Sequence, residues 1–443
     1  GAMSAWNVGD CDQAPVAPPN SNMKINEIRG MVESYGIPSI KTKYVRSCLT
    51  KSLRPLVPMA AEPASTPRIL HIASWYPSAV HGTLGNFVER HIQAISKLNG
   101  GEVWFAAAVP AGEVVPANSV RDCGTYTERI FYFRARKPVV RHVTRALLRA
   151  AEEASDFDLI HLHVAYPAGR AARKLARKWS VPLVLTEHWT AYHADQRSTI
   201  PFWGKWSMRL TGKMARVLCP VSKDLANSMR KFGMLGKYTV VPNVVDTELF
   251  RPTDDVPKRG TFHALHISSL RDDQKNVSGL LRAVAIALEF CSNLRVAIIG
   301  DGDPAPYQMQ AKELGIDDVV EISGEITLDE VAERMRHSDA LLLFSRYENF
   351  PCVIPEAWAS GIPVLSSDVG GIREHLAPDR GTLIDSEDES ALAQSLIQWA
   401  QHPDQFNPQS LREYAESTFS VEAIAHAYDD VYREAITRKT TAR

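Results

Sequence analysis

Short apolar segments alternate with helical segments along most of this chain, and this alternation limits its fold more than any other feature. The runs 68–74, 159–163 and 340–344 are mainly apolar and are bounded by polar or turn residues, which is typical of strands buried on both faces. Segments with helical periodicity, such as 168–179 and 277–290, follow these runs. The order strand, helix, strand predicts an α/β protein with parallel sheets.

A chain of 443 residues has room for two to three domains, each with its own core. The polar segment 252–260 is predicted to be a hinge, because the strand–helix pattern stops before it and starts again after it. The predicted divisions are an N-terminal extension (1–66), a first α/β domain (67–254), a second α/β domain (255–419) and a C-terminal helix with its tail (420–443).

Composition places the chain in a broad class. Its six cysteines are scattered without a C-x-x-C pair, which predicts reduced thiols and neither a zinc site nor a disulfide framework. No segment approaches the ~18 apolar residues of a membrane span. The first twenty residues are polar and show no secretory signal, so a cytoplasmic location is expected, with peripheral contact to the inner face of a membrane as an extension of it.

Charge is distributed unevenly. Residues 1–254 carry 33 Lys and Arg against 20 Asp and Glu, whereas the remainder carries 17 against 31. Such asymmetry indicates that one half meets an anionic surface or acceptor, or that the charges help the two halves associate. Within the extension, residues 24–56 are basic with helical spacing; this segment can lie on an anionic membrane or pack on the main body, which we favour slightly.

A second basic segment, 202–216, mixes Phe202, Trp203 and Trp206 with lysines and arginines. Tryptophan rings favour interfaces, so the segment suits contact with an acceptor or a membrane. The alternative is that the tryptophans face the core and the cations face solvent. Nucleic acid ranks last among partners, because no motif that reads nucleic acid is present.

The stretch 345–357 concentrates the polar chemistry of the chain. Glu348 and Glu356 stand eight positions apart around the turn from a predicted strand to a predicted helix. Because Pro351 and Pro355 are tolerated only in a helix's first turn, the helix should start near Val353 with Glu356 just inside it. The free amides of a helix start favour an anion. An anion flanked by two hydroxyl-accepting carboxylates describes a nucleotide sugar.

Glu348-x7-Glu356, with Asn349-Phe350-Pro351 between and the runs 361–364 and 370–371 after, resembles the motif of the retaining GT-B glycosyltransferases of family four. The resemblance implies two Rossmann-like domains that face each other across a cleft, with a C-terminal helix that crosses back to the first domain. It also implies that the second domain holds most of the donor and that the first meets the acceptor.

The resemblance also implies roles for particular residues. Glu356 would hold the ribose hydroxyls, Glu348 would orient the sugar, and His188 would contact the sugar near its primary hydroxyl. Gly85, in a loop after the first strand, would reach the donor diphosphate, since close backbone approach excludes a side chain. The remaining predicted donor contacts belong to the turn, the helix start and the loop beside the base: Asn349, Phe350, Pro351, Val353 and Ile326.

Lys275 follows a predicted strand, where a compact ammonium could neutralise the diphosphate of a departing nucleotide. The family pairs this lysine with an arginine six positions earlier, but this chain has Ser269 there. Arg271 is the candidate to replace it. If it does not, the leaving group is less neutralised, and catalysis is slower or the donor class is unusual.

Two patterns suggest a metal, and we favour another interpretation of each. Asp301-Gly302-Asp303 is similar to the carboxylate pair that holds manganese in the other common glycosyltransferase fold, but it also matches the nucleotide-proximal loop of family four. His161 and His163 lie on one face of a predicted strand, yet no third ligand follows in the sequence, so we expect packed side chains. No metal and no cofactor beyond the donor substrate are therefore expected.

The function predicted from the sequence is transfer of a hexose or N-acetylhexosamine from a UDP-, GDP- or ADP-sugar to a glycan, lipid-linked or protein acceptor. Two alternatives stay open. One is a sugar-nucleotide epimerase of the same architecture; the other is a non-catalytic protein that binds sugar nucleotides or glycans.

Overall fold

The computed structural model describes residues 66–153, 156–194, 196, 200–253 and 260–437. The basic segment 24–56, and residues 254–259 of the predicted hinge, lie outside the described residues. The described residues form two mainly parallel sheets with helices on their faces.

The first sheet has eight described strands. They are β1 (Ile69–Ala73), β2 (Gly101–Val109), β3 (Ser119–Asp122), β4 (Tyr126–Arg134), β5 (Leu159–His163), β6 (Leu183–Glu187), β7 (Val217–Pro220) and β8 (Lys237–Tyr238). Their spatial order is β3-β4-β2-β1-β5-β6-β7-β8, with β3 alone antiparallel to its neighbour. Every residue of β1, β5 and β6 is buried, as expected for central strands covered on both faces.

Five helices accompany this sheet in the described residues. They are α1 (Asn86–Ile95), α2 (Val139–Ala150), α3 (Gly169–Trp179), α4 (Phe202–Met214) and α5 (Lys223–Phe232). The Ser222 hydroxyl accepts a hydrogen bond from the Leu225 amide at the start of α5 and so caps this helix.

The second sheet has six described strands in the order β11-β10-β9-β12-β13-β14, all paired in parallel. The strands are β9 (Phe262–Ser269), β10 (Leu294–Asp301), β11 (Val320–Ser323), β12 (Ala340–Leu343), β13 (Val364–Ser367) and β14 (Gly381–Ile384). Its helices are α6 (Asp272–Lys275), α7 (Val277–Leu288), α8 (Ala305–Glu313), α9 (Leu328–Arg336), α10 (Val353–Ala359), α11 (Glu389–Gln401) and α12 (Pro408–Phe419).

The last described helix, α13 (Val421–Thr437), packs on the first sheet rather than the second. Its Tyr428 and Tyr432 are fully buried among residues of β1, β5, β6 and β7. The Tyr428 hydroxyl lies 2.8 Å from the Thr186 hydroxyl, and the Tyr432 hydroxyl lies 2.6 Å from His161 Nδ1. The crossing of the C-terminal helix to the first domain, which the resemblance implied, is therefore present.

Two described elements were not predicted. Strand β3 is mostly exposed and has no apolar pattern, so nothing in its four residues distinguishes it from a loop. Helix α6 has only four residues, too few to show a helical period.

Candidate active site

A cavity of about 570 Å³ lies between the carboxyl ends of the two sheets. This is the edge where open α/β sheets bind ligands, because loops after parallel strands converge there. Its lining includes Trp75, Phe87, His188 and Trp189 from the first domain, and Ser269, Lys275, Asp301, Ile326, Glu348, Asn349, Phe350, Pro351 and Val353 from the second.

The turn between β12 and α10 brings the two motif glutamates to this region. Helix α10 begins at Val353 with Glu356 in its first turn, as the positions of the prolines predicted. At the start of α10 the Ile354 amide donates to the Pro351 carbonyl at 3.3 Å, and Pro355 has no N–H. The amides of Cys352 and Val353, which line the cavity, are therefore the ones available to an anion. Burial raises the pKa of the Cys352 thiol beside them to about 12, so this group stays neutral and does not repel an anion.

Glu348 and Lys275 form an ion pair within the second domain. Lys275 Nζ lies 2.5 Å from Glu348 Oε1, and the two side chains are only 12% and 8% exposed. Both residues line the cavity. The predicted cation and the predicted sugar-orienting carboxylate are thus brought together, and in this structure each neutralises the other.

Glu356 pairs with a residue that the sequence did not single out. Arg90, on α1 of the first domain, donates from Nη1 to Glu356 Oε1. Glu356 is nearly buried and lies one turn beyond the cavity-lining Cys352 and Val353. An arginine on a helix without a motif gives no sequence signal, and only the fold shows its partner 266 positions away.

His188 lies on the first-domain side of the cavity. Its ring is packed between Phe87 and His91, with centroids 4.6 and 5.1 Å away. Burial lowers the pKa of His188 well below its usual range, which keeps the imidazole neutral. Its Nε2 has no hydrogen-bond partner among the described residues and is also sealed from solvent. A sugar hydroxyl therefore cannot reach this nitrogen in the structure as it stands, although other atoms of His188 line the cavity.

Asn349 and Phe350 use their polar groups to join the domains. Asn349 Nδ2 donates to the His188 carbonyl at 2.5 Å, and its Oδ1 accepts from His193 Nε2 at 2.8 Å. The Phe350 ring is buried in the core, and its carbonyl accepts from Asn243 Nδ2 at 2.6 Å. Any donor contact from these two residues is therefore left to their backbone amides.

Two residues expected at the diphosphate have other neighbours in the structure. Gly85 has a φ of +72°, and a Cβ there would lie 2.6 Å from the Trp75 carbonyl carbon. The close approach seen at Gly85 is thus to the chain's own backbone, and Gly85 does not line the cavity. The Arg271 side chain is 61% exposed, pairs with Asp273 at 2.7 Å and also lies outside the lining. Contact of either residue with the diphosphate stays a prediction.

The acidic turn after β10 separates its two carboxylates. Asp301 lines the cavity, whereas Asp303 Oδ1 accepts from the Ala305 amide at the start of α8. The two carboxylates therefore do not act as a pair: one faces the cavity and the other caps α8. Ile326 and Glu325 line the cavity, where the sequence placed the contact with the base.

The expectation that His161 and His163 have no third partner was wrong. His71 of β1, in register with His161, joins them in a fully buried trio whose candidate ligand atoms lie within 4.8 Å of one another. His71 Nδ1 lies 3.1 Å from His163 Nε2, while both nitrogens of His161 are bonded, to the Tyr432 and Thr186 hydroxyls. The trio therefore does not offer three free nitrogens to a metal, and it forms a hydrogen-bonded layer under α13.

In the described part of the chain, no helix combines the length and apolar character needed to cross a bilayer.

Two facing Rossmann-like domains, with paired glutamates at the turn into α10, define a GT-B glycosyltransferase fold. Family models agree: residues 256–418 match the glycosyl transferases group 1, and residues 84–249 match glycosyltransferase family 4. Together these matches cover well over half of the chain. The chain therefore belongs to the group 1, family 4 glycosyltransferases.

Among its relatives, D-inositol 3-phosphate glycosyltransferase of Streptomyces avermitilis is 29% identical over 273 residues, which are 56% of this chain and 58% of that protein. The chain thus spans less than two thirds of that relative. The putative teichuronic acid biosynthesis glycosyltransferase TuaC of Bacillus subtilis is 24% identical over 83% of this chain and 100% of its own length.

Solved structures share the fold. Sucrose-phosphate synthase from Thermosynechococcus elongatus has a TM-score of 0.69 at 18% identity, covering 84% of this chain and all of that one. HepE of Anabaena, solved with UDP and glucose, has a TM-score of 0.63 at 17% identity, covering 83% of this chain and 99% of that one.

Proposed function

We propose that this protein transfers a hexose or N-acetylhexosamine from a nucleoside diphosphate sugar to an acceptor hydroxyl, with retention at the anomeric carbon. One observation carries the proposal: Glu348, Lys275 and the first amides of α10 converge on one cavity, with Glu356 one turn further along. The chain's family supports the reaction class.

The donor diphosphate lies against the start of α10 in this proposal. Lys275 and the helix amides stabilise the negative charge that develops as the nucleotide leaves. Because Lys275 pairs with Glu348 at 2.5 Å, the diphosphate takes over the ammonium when the donor binds, and the Glu348 carboxylate turns to the sugar hydroxyls. His188, which lines the cavity from the first domain, contacts the far edge of the sugar.

The transfer step needs no nucleophile from the protein. The bond between the anomeric carbon and the diphosphate oxygen breaks, and the acceptor oxygen bonds to that carbon on the same face. The acceptor proton passes to the departing phosphate oxygen. Electrostatic stabilisation of the leaving group is then the main contribution of the protein, without a metal ion.

The acceptor is proposed to be anionic or to lie on an anionic surface, in polysaccharide, glycolipid or glycoprotein glycan assembly. Residues 1–254 carry the chain's positive excess, and the printed names of two relatives include an inositol phosphate and teichuronic acid. Helix α4 adds Phe202, Trp203 and Trp206, which are 77%, 54% and 63% exposed. The alternative in which the tryptophans face the core does not hold, because both are exposed. We propose that this face makes peripheral contact with an anionic membrane on the cytoplasmic side.

A non-catalytic sugar-nucleotide-binding protein is the second candidate, because Ser269 lines the cavity where the family has an arginine. A donor-consumption assay separates the candidates. UDP-, GDP- and ADP-sugars are incubated with the protein, with and without a membrane extract as acceptor. A transferase releases nucleotide only when the extract is present, and the anomeric configuration of the product tests retention.

In the same assay an epimerase converts the donor without an acceptor, and a binding protein consumes none. Glu348→Ala serves as the inactive control. Absence of acceptor-dependent release with all three donors would rule against the proposed function.

A further inference from the structure

The carboxylate proposed to hold the ribose is contacted by a cation from the opposite domain. Arg90 Nη1 of α1 donates to Glu356 Oε1 of α10. The side chain of Arg90 is 21% exposed and that of Glu356 is 3% exposed. Withdrawing both charges from water makes it costly to leave either one unpaired, so the two groups hold each other in place.

Helix α1, which carries Arg90, is held within the first domain. The neighbouring His91 ring lies 2.8 Å from the Phe87 carbonyl and 3.2 Å from the Pro242 carbonyl, one on each nitrogen. Helix α1 also packs on α13, with Asn99 Nδ2 donating to Asp429 Oδ1 at 3.3 Å just beyond its end. The backbone position of Arg90 is therefore set by the first domain.

Glu356 keeps one oxygen for a ligand. Arg90 contacts Oε1, and Oε2 accepts no hydrogen bond from the residues that the structure describes. Glu356 Oε2 is not fully buried, so this oxygen remains accessible. A carboxylate has about four acceptor sites, enough for the arginine and for ribose hydroxyls together.

The two glutamates of the motif are thus anchored differently. Glu348 takes its cation, Lys275, from its own domain, whereas Glu356 takes Arg90 from the other one. The cation that pairs with Glu348 therefore comes from the same domain, although His188 of the first domain is also proposed to contact the sugar. The ribose end is complete only when both domains are in place.

We propose that Arg90 is a positioning residue that orients Glu356 toward the donor ribose, so that ribose recognition requires the first domain to be docked. The inference rests on the proposed function, in which Glu356 binds the ribose. Arg90 acts through Glu356 and touches neither the sugar nor the bond that breaks.

Calorimetric titration of the full chain with UDP, GDP and ADP, and with their 2′,3′-dideoxy counterparts, tests this inference. The ratio of ribose to dideoxyribose affinity is the readout, because a general loss of folding lowers both affinities alike. Arg90→Met should weaken binding of the preferred ribonucleotide by about 10- to 100-fold, as expected for a hydrogen bond to a charged group. It should leave binding of the dideoxy form nearly unchanged. Arg90→Lys should recover part of the ratio.

Lys97→Met is the matched control, since it removes an exposed ion pair, with Glu422, between the end of α1 and α13. It should keep the wild-type ratio. An unchanged ratio in Arg90→Met, or an equal loss for both nucleotide forms, overturns the role of Arg90 while leaving the proposed function intact. Should Glu356→Gln also keep the wild-type ratio, the ribose assignment fails, and the inference fails with it. Absence of binding of any of the three nucleotides to the wild-type chain counts against the proposed function itself.

Discussion

Glu348 and Glu356 are identical side chains whose surroundings assign them different tasks. Glu348 lines the cavity and shares an ion pair with Lys275, so it can respond when a diphosphate draws the ammonium away. Glu356 is held at the domain boundary by Arg90 and does not line the cavity. In the proposed function, Glu348 acts on the sugar during the reaction and Glu356 binds the ribose before it.

Alanine substitutions should separate these tasks. Glu356→Ala is expected to raise the Kd for nucleotide by about 10- to 100-fold, because the ribose hydroxyls lose a charged acceptor. Glu348→Ala is expected mainly to lower kcat, since it removes the group that orients the sugar but not the anchor of the nucleotide. Nucleotide titration and initial-rate kinetics measure the two effects. Equal changes in Kd and kcat for both variants would contradict the assignment.

Gly85 has a close backbone neighbour that reasoning from single residues did not identify. Its place in a loop after the first strand suggested contact with the donor, and glycine is the residue expected where a backbone approaches a ligand. The structure shows the same close approach, but to Trp75 of the chain itself. A sequence can indicate that a position excludes a side chain without showing which neighbour excludes it.

At the level of elements, the buried histidine layer ties α13 to the first sheet. His71, His161 and His163 on β1 and β5 face His91 of α1, Thr186 of β6, and Tyr428 and Tyr432 of α13. Burial lowers the pKa of His71 to about 3 and those of the other three histidines below their usual range. No carboxylate is hydrogen-bonded to this layer in the described residues, so its imidazoles are held neutral.

Acid should therefore loosen the first domain. A histidine whose folded-state pKa is depressed binds its proton more readily unfolded, so its contribution is complete above about pH 6.5 and is lost as the pH falls toward about 3. Each such histidine lowers the free energy of unfolding by roughly 1 kcal/mol for each pH unit that the pH falls within this window. The thermal midpoint should fall between about pH 7 and about pH 5.5. His161→Gln, which keeps a hydrogen-bonding side chain, should reduce that fall.

The exposed His426 on α13 provides the control for this experiment, because His426→Gln removes a histidine that faces solvent. Its pH profile should follow that of the wild type. The thermal midpoint of the wild-type chain could instead stay constant over this pH range. That result would contradict the prediction, because it would show that the histidine layer is protonated without loss of stability.

Helix α4 presents an exposed face of a different kind. Phe202, Trp203 and Trp206 share the helix with Arg209 and Lys213, whose side chains are also exposed. Aromatic rings beside cations suit the boundary between lipid headgroups and acyl chains. In the proposed function, this exposed face of α4 binds the membrane that holds a lipid-linked acceptor.

Cosedimentation of the full chain with anionic vesicles tests this use of α4. Replacing Phe202, Trp203 and Trp206 together by serine should lower the partition coefficient by about tenfold or more, since each ring contributes roughly 1.5–3 kcal/mol when fully buried. Leu235→Ser is the control, because Leu235 is 66% exposed elsewhere on the same domain. A similar loss in both variants, or none in the triple variant, would remove the membrane role. A separate variant that lacks residues 1–60 measures how much the basic extension contributes to vesicle binding.

For the whole molecule, the two domains are joined by polar contacts as well as by α13. The Glu374 carboxylate accepts from the Lys223 and Asp224 amides at 2.7 and 2.8 Å, so the second domain caps helix α5 of the first. Asn349 bridges to His188 and His193, and Arg90 reaches Glu356. The two domains that bound the cavity are therefore connected by direct hydrogen bonds and an ion pair.

These contacts explain what the sequence could and could not predict. Buried strands and the start of α10 follow from local patterns, because each depends on residues that are close in sequence. The crossing of α13 was implied by the family resemblance, which rests on the motif around Glu348. Arg90, His71 and Glu374 were missed because each acquires its role from a partner on another element far along the chain. Proximity in sequence to Ser269 did not put Arg271 in the lining of the cavity, and its contact with the diphosphate stays a prediction.

Donor binding should stabilise both domains together, because the proposed site takes Lys275 and Glu356 from one domain and His188 from the other. Thermal unfolding with UDP, GDP and ADP and their sugars tests this. A ligand at about 100 times its Kd adds about 2.7 kcal/mol of stability, so the preferred nucleotide should raise one cooperative transition. Glu356→Ala should abolish most of that shift at the same ligand concentration.

A chelator should leave the wild-type shift unchanged, because Lys275 and the helix amides supply the positive potential. A shift that requires added manganese would disprove metal-free binding of the diphosphate, and a shift of only part of a split transition would confine the donor to one domain.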